Sequence, residues 1–111
     1  MEISELRAQI DEIDKELVKL FCARMEVSAK VADYKRERNL PIYVPARERE
    51  ILQEVAAKAG PETAGYTRIL YSTIFELSRS YQAKRNGNQT PLYQNITHQK
   101  FQTCHLCPVL V

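Results

Sequence analysis

The sequence has no apolar run that approaches the roughly 20 residues a membrane-spanning helix needs. Its N-terminus opens with Glu2 and Glu5, where a secretion signal would be basic and then hydrophobic. We therefore predict a cytoplasmic protein with no membrane contact. Only three glycines are present, and none belongs to a Gly-rich phosphate loop. The three cysteines, Cys22, Cys104 and Cys107, are an odd number, so we expect reduced thiols and no disulfide framework.

The chain also lacks a strong charge of either sign. Its 16 Lys and Arg residues stand against 14 Asp and Glu residues, which gives a formal net charge of +2. A nucleic-acid binder would carry a clear basic excess, so we expect no nucleic-acid partner. With 111 residues, of which 44% are hydrophobic, the chain suits one small globular domain.

The strongest pattern present is one long helical stripe. From residue 3 to about Arg38 the apolar residues recur at spacings of three and four, and Asn39 and Pro41 then end the helix. A helix of about 35 residues is roughly 50 Å long, whereas a folded chain of about 85 residues has a radius of gyration near 12 Å. One protomer cannot cover such a stripe, so we predict a second copy against it. The stripe comprises Ile3, Leu6, Ile10, Ile13, Leu17, Leu20, Val27, Val31 and Tyr34.

Two further helices are predicted, and they complete an all-α fold of one long, one short and one medium helix in an intertwined homodimer. The short helix runs from Pro45 to Ala59, ahead of Gly60 and Pro61, and the medium helix runs from residue 62 or 63 to Lys84. Residues 1–85 form the domain, and residues 86–111 are a polar linker or tail. The apolar positions are Ile51, Leu52 and Val55, then Tyr66, Ile69, Leu70, Thr73, Ile74, Leu77 and Tyr81.

Arg24 stands where the stripe of the long helix calls for an apolar residue. Lys35, eleven residues later, lies about 20° away around the helix and about 16 Å along it, so Arg24, Ser28, Val31 and Lys35 share one face. Arg24 could snorkel to the surface or fix helix register through a buried ion pair. Alternatively, the two cations could bind a small molecule that carries two carboxylates.

Other polar residues are ordinary when taken one at a time. Glu48 complements the dipole of the second helix, Arg47 can pair with a nearby glutamate, and Arg7 lies near the start of the first helix. Ser78 and Gln82 lie one turn apart on the third helix.

Together these residues resemble the motif of the all-helical class of chorismate mutases, and the resemblance covers residues 3–85. The stretch 71–82 is also similar to mutase domains that are fused to a prephenate dehydratase, which implies that residues 86–111 begin an interdomain linker. The matching pieces are Leu6-Arg7-x-x-Ile10-Asp11-x-x-Asp14, Ala23-Arg24-Met25-Glu26 through Lys35, Pro45-Ala46-Arg47-Glu48-Arg49-Glu50, and Glu76-Leu77-Ser78 through Gln82.

The resemblance implies an isomerase that rearranges chorismate to prephenate in phenylalanine and tyrosine biosynthesis, without a cofactor or metal. It implies a homodimer in which each site takes Arg7 from the partner subunit. The catalytic residues would be Arg24, Lys35 and Gln82. The remaining substrate-binding residues would be Arg47, Glu48 and Ser78. This chain departs from some members at Val44, where they carry an acidic residue.

Three alternatives remain open from the sequence. A non-enzymatic helical dimer or adaptor would use Arg24 as a register device. An isochorismate pyruvate lyase would use the same fold and a similar cationic pocket. Cys104-x-x-Cys107 with His98 and His105 would form a zinc or redox site, although one such pair lacks a complete ligand set.

Overall fold

A computed structural model describes residues 2–87 of the chain. Within these residues are three α-helices and no strand: α1 spans Ile3–Glu37, α2 spans Pro45–Ala59 and α3 spans Ala64–Arg85. The predicted all-α fold of one long, one short and one medium helix is confirmed for this part of the chain. Most of the predicted tail lies outside the described residues, as do the candidate metal ligands His98, Cys104, His105 and Cys107.

The end of α1 and the start of α2 follow from local backbone chemistry. Asn39 has a φ of 55°, a left-handed conformation that asparagine tolerates better than most side chains. The turn is closed by the Leu40 N–H, which donates to the Lys35 carbonyl at 2.8 Å. Pro45 then opens α2 at its first position, where a missing N–H costs nothing. Both boundaries therefore lie within one residue of the prediction.

The turn between α2 and α3 is slightly longer than predicted. Gly60 ends α2 with a φ of 85°, a conformation in which a Cβ would be strained. Residues 61–63 form a turn, and the Thr63 hydroxyl donates back to the Ala59 carbonyl at 2.9 Å. As a result α3 begins at Ala64 and not at residue 62 or 63.

The core of the single chain lies where α3 packs against both α1 and α2. Its α1 contribution comes from small or flexible residues, Cys22, Met25, Ala29 and Ala32; Ala56 of α2 and Phe75 of α3 are also buried. Small side chains let helix backbones approach closely.

The predicted apolar stripe of α1 is not the face that α1 buries within one chain. All nine of its members are 37–62% exposed. The apolar face of α3 is divided, because Tyr66, Ile69 and Leu70 are more than half exposed whereas Ile74 and Leu77 are half-buried. One chain thus leaves a long apolar surface open to solvent.

None of the helices within residues 2–87 has the length and hydrophobicity needed to cross a bilayer.

Candidate active site

A cavity of about 350 Å³ lies between the C-terminal half of α1, the α1–α2 loop, α2 and the C-terminal half of α3. This volume falls in the usual range of about 300–1,000 Å³ for small-molecule sites. The lining residues are Arg24, Val27, Ser28, Val31, Lys35, Ile42, Val44, Arg47, Glu48, Ile51, Phe75, Ser78, Arg79 and Gln82.

The helices bring six of the seven residues singled out from the sequence to this one cavity. They are Arg24, Lys35, Arg47, Glu48, Ser78 and Gln82. The seventh, Arg7, is exposed and lies near the opposite end of α1. It precedes Arg24 by 17 residues, which is about 26 Å along a helix, so Arg7 cannot reach the cavity of its own chain.

Arg24 is held by aromatic rings. Its guanidinium carbon lies 5.8 Å from the centroid of the Tyr71 ring and 5.7 Å from that of the Phe75 ring, a cation–π arrangement that limits how the side chain can turn. Within residues 2–87 no carboxylate forms an ion pair with Arg24. The described residues of one chain therefore do not supply the buried ion pair of the register interpretation.

Lys35 is anchored at the loop side of the cavity. Its Nζ donates to the carbonyl of Ile42 at 2.9 Å, and this contact ties the α1–α2 loop to the end of α1. Burial lowers the pKa of Lys35 below its ordinary value of 10.5, and the nearby Glu48 carboxylate partly opposes that shift. An ammonium that is short of water is a stronger donor to a ligand than a solvated one.

Glu48 and Arg79 form an ion pair across the cavity wall from α2 to α3. Arg79 Nη1 donates to both carboxylate oxygens of Glu48, with a distance of 2.5 Å to Oε1. The Arg79 guanidinium also lies 4.6 Å from the ring centroid of Tyr43. Arg79 therefore fixes the orientation of the Glu48 carboxylate, and the Tyr43 ring in turn restrains Arg79.

Three buried polar side chains form a hydrogen-bonded chain on the cavity floor. The hydroxyls of Ser28 and Ser78 are 2.6 Å apart, and Gln82 Nε2 donates to Ser78 Oγ at 3.1 Å. The buried Oε1 of Gln82 has no hydrogen-bond partner within the part of the chain that the structure describes. A 180° rotation of the amide exchanges its two ends, so Gln82 can offer a ligand either an acceptor or an N–H donor while Ser78 satisfies the other.

Arg47 is an exposed residue of the cavity wall. Its guanidinium pairs with Glu50 at 2.7 Å on the surface of α2, as the sequence allowed. Because both side chains are more than half exposed, this pair contributes little stability and leaves Arg47 able to turn towards a ligand.

The net charge of the cavity wall is positive. Arg24, Lys35, Arg47 and Arg79 face a single carboxylate, that of Glu48. Within residues 2–87 no group of three His, Cys, Asp or Glu side chains is arranged to hold a metal ion. A cavity of this size and charge suits a small organic anion with more than one carboxylate.

Sequence reasoning missed Arg79. The residue follows Ser78 directly, and its neighbours gave no periodic signal that set it apart. Its spacing of three from Gln82 was the available clue, since residues three apart share a helix face. Its partner Glu48 lies 31 residues earlier, and no local pattern could indicate that contact.

Comparisons with known proteins agree with this geometry. The family model described as chorismate mutase type II matches residues 6–83. The chain is 43% identical over 54 residues to the bifunctional chorismate mutase/prephenate dehydratase of Aquifex aeolicus, covering 49% of this chain and 15% of that protein. It is 38% identical over 72 residues to the T-protein of Haemophilus influenzae, and this match covers 65% of this chain and 19% of that protein. It is 36% identical over 53 residues to the chorismate mutase of Methanocaldococcus jannaschii, and this match covers 48% of this chain and 54% of that protein.

The matched region spans less than two thirds of the length of each of these relatives. No solved structure gives a significant match. The family match nevertheless extends over all three helices and every residue of the cavity wall. The chain therefore belongs to the chorismate mutase type II family.

Proposed function

We propose that the protein is a chorismate mutase, an isomerase that converts chorismate to prephenate without a cofactor, in phenylalanine and tyrosine biosynthesis in the cytoplasm. The observation that carries this proposal is the cavity, in which four cations and a buried amide surround a space sized for one small dicarboxylate. The family match and the names of the Aquifex aeolicus and Methanocaldococcus jannaschii relatives support the same substrate.

The reaction is an intramolecular Claisen rearrangement, in which an ether bond breaks while a carbon–carbon bond forms. It needs no nucleophile or redox carrier. The enzyme must select a compact conformer that brings the reacting carbons together. It must also stabilise the negative charge that gathers on the ether oxygen in the transition state.

Arg24 and the partner's Arg7 select the conformer. Each guanidinium binds one substrate carboxylate through two parallel hydrogen bonds, which a lysine cannot form. The rings of Tyr71 and Phe75 hold Arg24 in place before substrate arrives, so little side-chain entropy is lost on binding. Two such contacts restrain the substrate at both ends.

Lys35 and Gln82 stabilise the ether oxygen. Both donate hydrogen bonds that strengthen as charge develops, so they favour the transition state over the ground state. For Gln82 this requires the rotated amide, with Ser78 donating to Oε1 and Nε2 pointing to the substrate. In the structure the amide has the other orientation, with Nε2 donating to Ser78. After the rotation the Ser28 hydroxyl, 2.6 Å from that of Ser78, can donate to Ser78 and leave the Ser78 proton for Oε1.

The remaining residues orient the substrate. Glu48 accepts a hydrogen bond from the substrate hydroxyl, Arg47 supports carboxylate binding, and Ser78 supports the surroundings of the substrate through its contacts with Ser28 and Gln82. Val44 also lines the cavity, and the acidic contact that some family members have there is replaced by an apolar one.

Arg7 completes the site only if two chains pair. The open apolar surface of α1 offers the contact area, because its nine exposed residues run the length of the helix. Burying such side chains is worth about 1.5–3 kcal/mol each when complete. We therefore assign an intertwined homodimer in which the long helices pair and each cavity receives Arg7 of the partner subunit.

A charge in the middle of this surface should separate the subunits. Leu17 is 55% exposed in the single chain, and Leu17→Glu is expected to give a monomer or an unfolded chain without mutase activity. Light scattering coupled to size exclusion measures the mass, and circular dichroism measures the helix content. Lys19→Glu, a larger change of charge on an exposed polar position, is the control and should remain dimeric. A Leu17→Glu dimer with normal activity would contradict the proposed interface.

The pH dependence of activity follows from Lys35 and Gln82. Lys35 must be protonated to place a positive charge beside the ether oxygen. Because burial lowers the pKa of Lys35, activity is complete below that lowered pKa and is lost as the pH rises through it. Glu48 on α2 and Arg79 on α3 share the cavity with Lys35, and the Glu48 carboxylate partly offsets the lowering of the Lys35 pKa. The amide of Gln82 does not titrate, so no acidic optimum is expected.

Initial rates across pH, with circular dichroism at each pH to confirm folding, test this expectation. The residual activity of Lys35→Gln should lack the alkaline limb. A strict acidic optimum for the unmodified protein would rule out the role of Gln82.

The function itself is tested by following the loss of chorismate ultraviolet absorbance with purified protein and identifying the product. Isochorismate serves as the second substrate, since release of pyruvate from it would identify a lyase. No turnover of either substrate, and no rise in melting temperature when chorismate is added, would favour a helical scaffold.

A further inference from the structure

We infer that Arg79 is a positioning residue of this site, which holds the Glu48 carboxylate in place and neutralises its charge. The inference rests on the proposed function. Arg79 reaches Glu48 from a different helix, and both side chains are largely buried, with exposures of 24% and 21%. The contact therefore forms part of the cavity wall and is shielded from water.

A carboxylate in this cavity creates a problem that Arg79 solves. The substrate carries two carboxylates, and Glu48 would repel them if its charge were not balanced. Lys35, another cation of the cavity wall, has a pKa that already responds to Glu48. A Lys35 ammonium that paired with Glu48 would be diverted from the ether oxygen. Arg79 pairs with the Glu48 carboxylate from α3 and leaves the Lys35 ammonium available to the ether oxygen.

The geometry leaves Glu48 able to bind substrate as well. A carboxylate can accept about four hydrogen bonds, and Arg79 Nη1 uses one position on each oxygen. The remaining positions can accept the substrate hydroxyl. Tyr43 in the α1–α2 loop, 4.6 Å from the Arg79 guanidinium, restricts the direction from which Arg79 approaches. Arg79 thus acts through Glu48 without touching the reacting atoms.

The test compares Arg79→Gln with Arg85→Gln. Both arginines lie on α3 and pair with a carboxylate, but Arg85 pairs with Asp33 on the surface, at exposures of 45% and 33%. We expect Arg79→Gln to raise the KM for chorismate about tenfold, within the range for residues coupled by direct contact. The change in kcat should be smaller, because the hydroxyl contact forms in the ground state as well as the transition state. Arg85→Gln should match the unmodified protein.

A double-mutant cycle shows whether Arg79 acts through Glu48. In a Glu48→Gln background no carboxylate needs to be neutralised, so adding Arg79→Gln should change kcat/KM less than about twofold. Arg79→Lys restores the charge and should recover most of the loss. Circular dichroism and melting curves establish that each variant is folded. If Arg79→Gln does not fold, the same cycle is run with Arg79→Met, which removes the charge but keeps an apolar stem and should raise KM only when Glu48 is present.

Three results would overturn this role while leaving the proposed function intact. They are equal activities of Arg79→Gln and Arg85→Gln, a loss that persists in the Glu48→Gln background, and an Arg79→Lys variant no better than Arg79→Gln. An unmodified protein that does not convert chorismate would instead overturn the proposed function, and the role of Arg79 with it.

Discussion

Replacing Lys35 with alanine is expected to lower kcat for chorismate by about 10²- to 10³-fold, the usual effect of removing one donor to a developing oxyanion. The contact to the ether oxygen gains strength only as the bond breaks, so kcat and kcat/KM should fall together. Burial increases the effect, because a partly desolvated ammonium is a stronger donor than a solvated one.

Stopped assays at substrate concentrations well above KM measure this loss directly. Lys30→Ala is the matched control, since Lys30 is an exposed lysine of α1 that does not line the cavity. Lys35 also bonds to the Ile42 carbonyl, so helix content and melting temperature must be compared as well. A folded Lys35→Ala variant with the kcat of Lys30→Ala would show that Lys35 serves only to fasten the loop.

Replacing Arg24 with alanine is expected to lower kcat/KM by two orders of magnitude or more, since truncating one partner of a desolvated charge pair costs about 2–5 kcal/mol. The substrate would lose one of its two carboxylate contacts and sample conformers that cannot react. Arg24→Lys should recover little, because an ammonium cannot form the two parallel hydrogen bonds of a guanidinium.

The same variant separates the enzyme from a helical scaffold. If Arg24 binds substrate, Arg24→Ala remains dimeric and loses both turnover and the rise in melting temperature that chorismate gives the unmodified protein. Arg49→Ala removes an equal charge from an exposed position outside the cavity wall and should change neither. A variant that dissociates, together with normal turnover per folded chain, would instead identify Arg24 as a register device.

Much of the fold could be predicted because helix boundaries depend on neighbouring residues. Pro45, Gly60 and Asn39 act through their own backbone conformations, and each of them lies at a boundary in the structure. The predicted start of α3 was early for the same local reason, because the Thr63 hydroxyl bonds back to α2 and prolongs the turn.

The site could be predicted in part because α1 is one continuous helix. The spacing of eleven residues is enough to place Arg24 and Lys35 on one face, and both line the cavity. Arg47, Glu48, Ser78 and Gln82 came from the family resemblance, since nothing in their local patterns distinguishes them from surface residues.

The sequence by itself determined which residues form helices and which of them share a face, because both depend on the geometry of the local backbone. Only the tertiary structure decided that α1 buries Met25, Ala29 and Ala32 and exposes its longer apolar stripe. It alone paired Glu48 with Arg79, and Ser28 with Ser78 across 50 residues. Periodicity cannot specify such contacts, because they depend on how separate helices pack against one another.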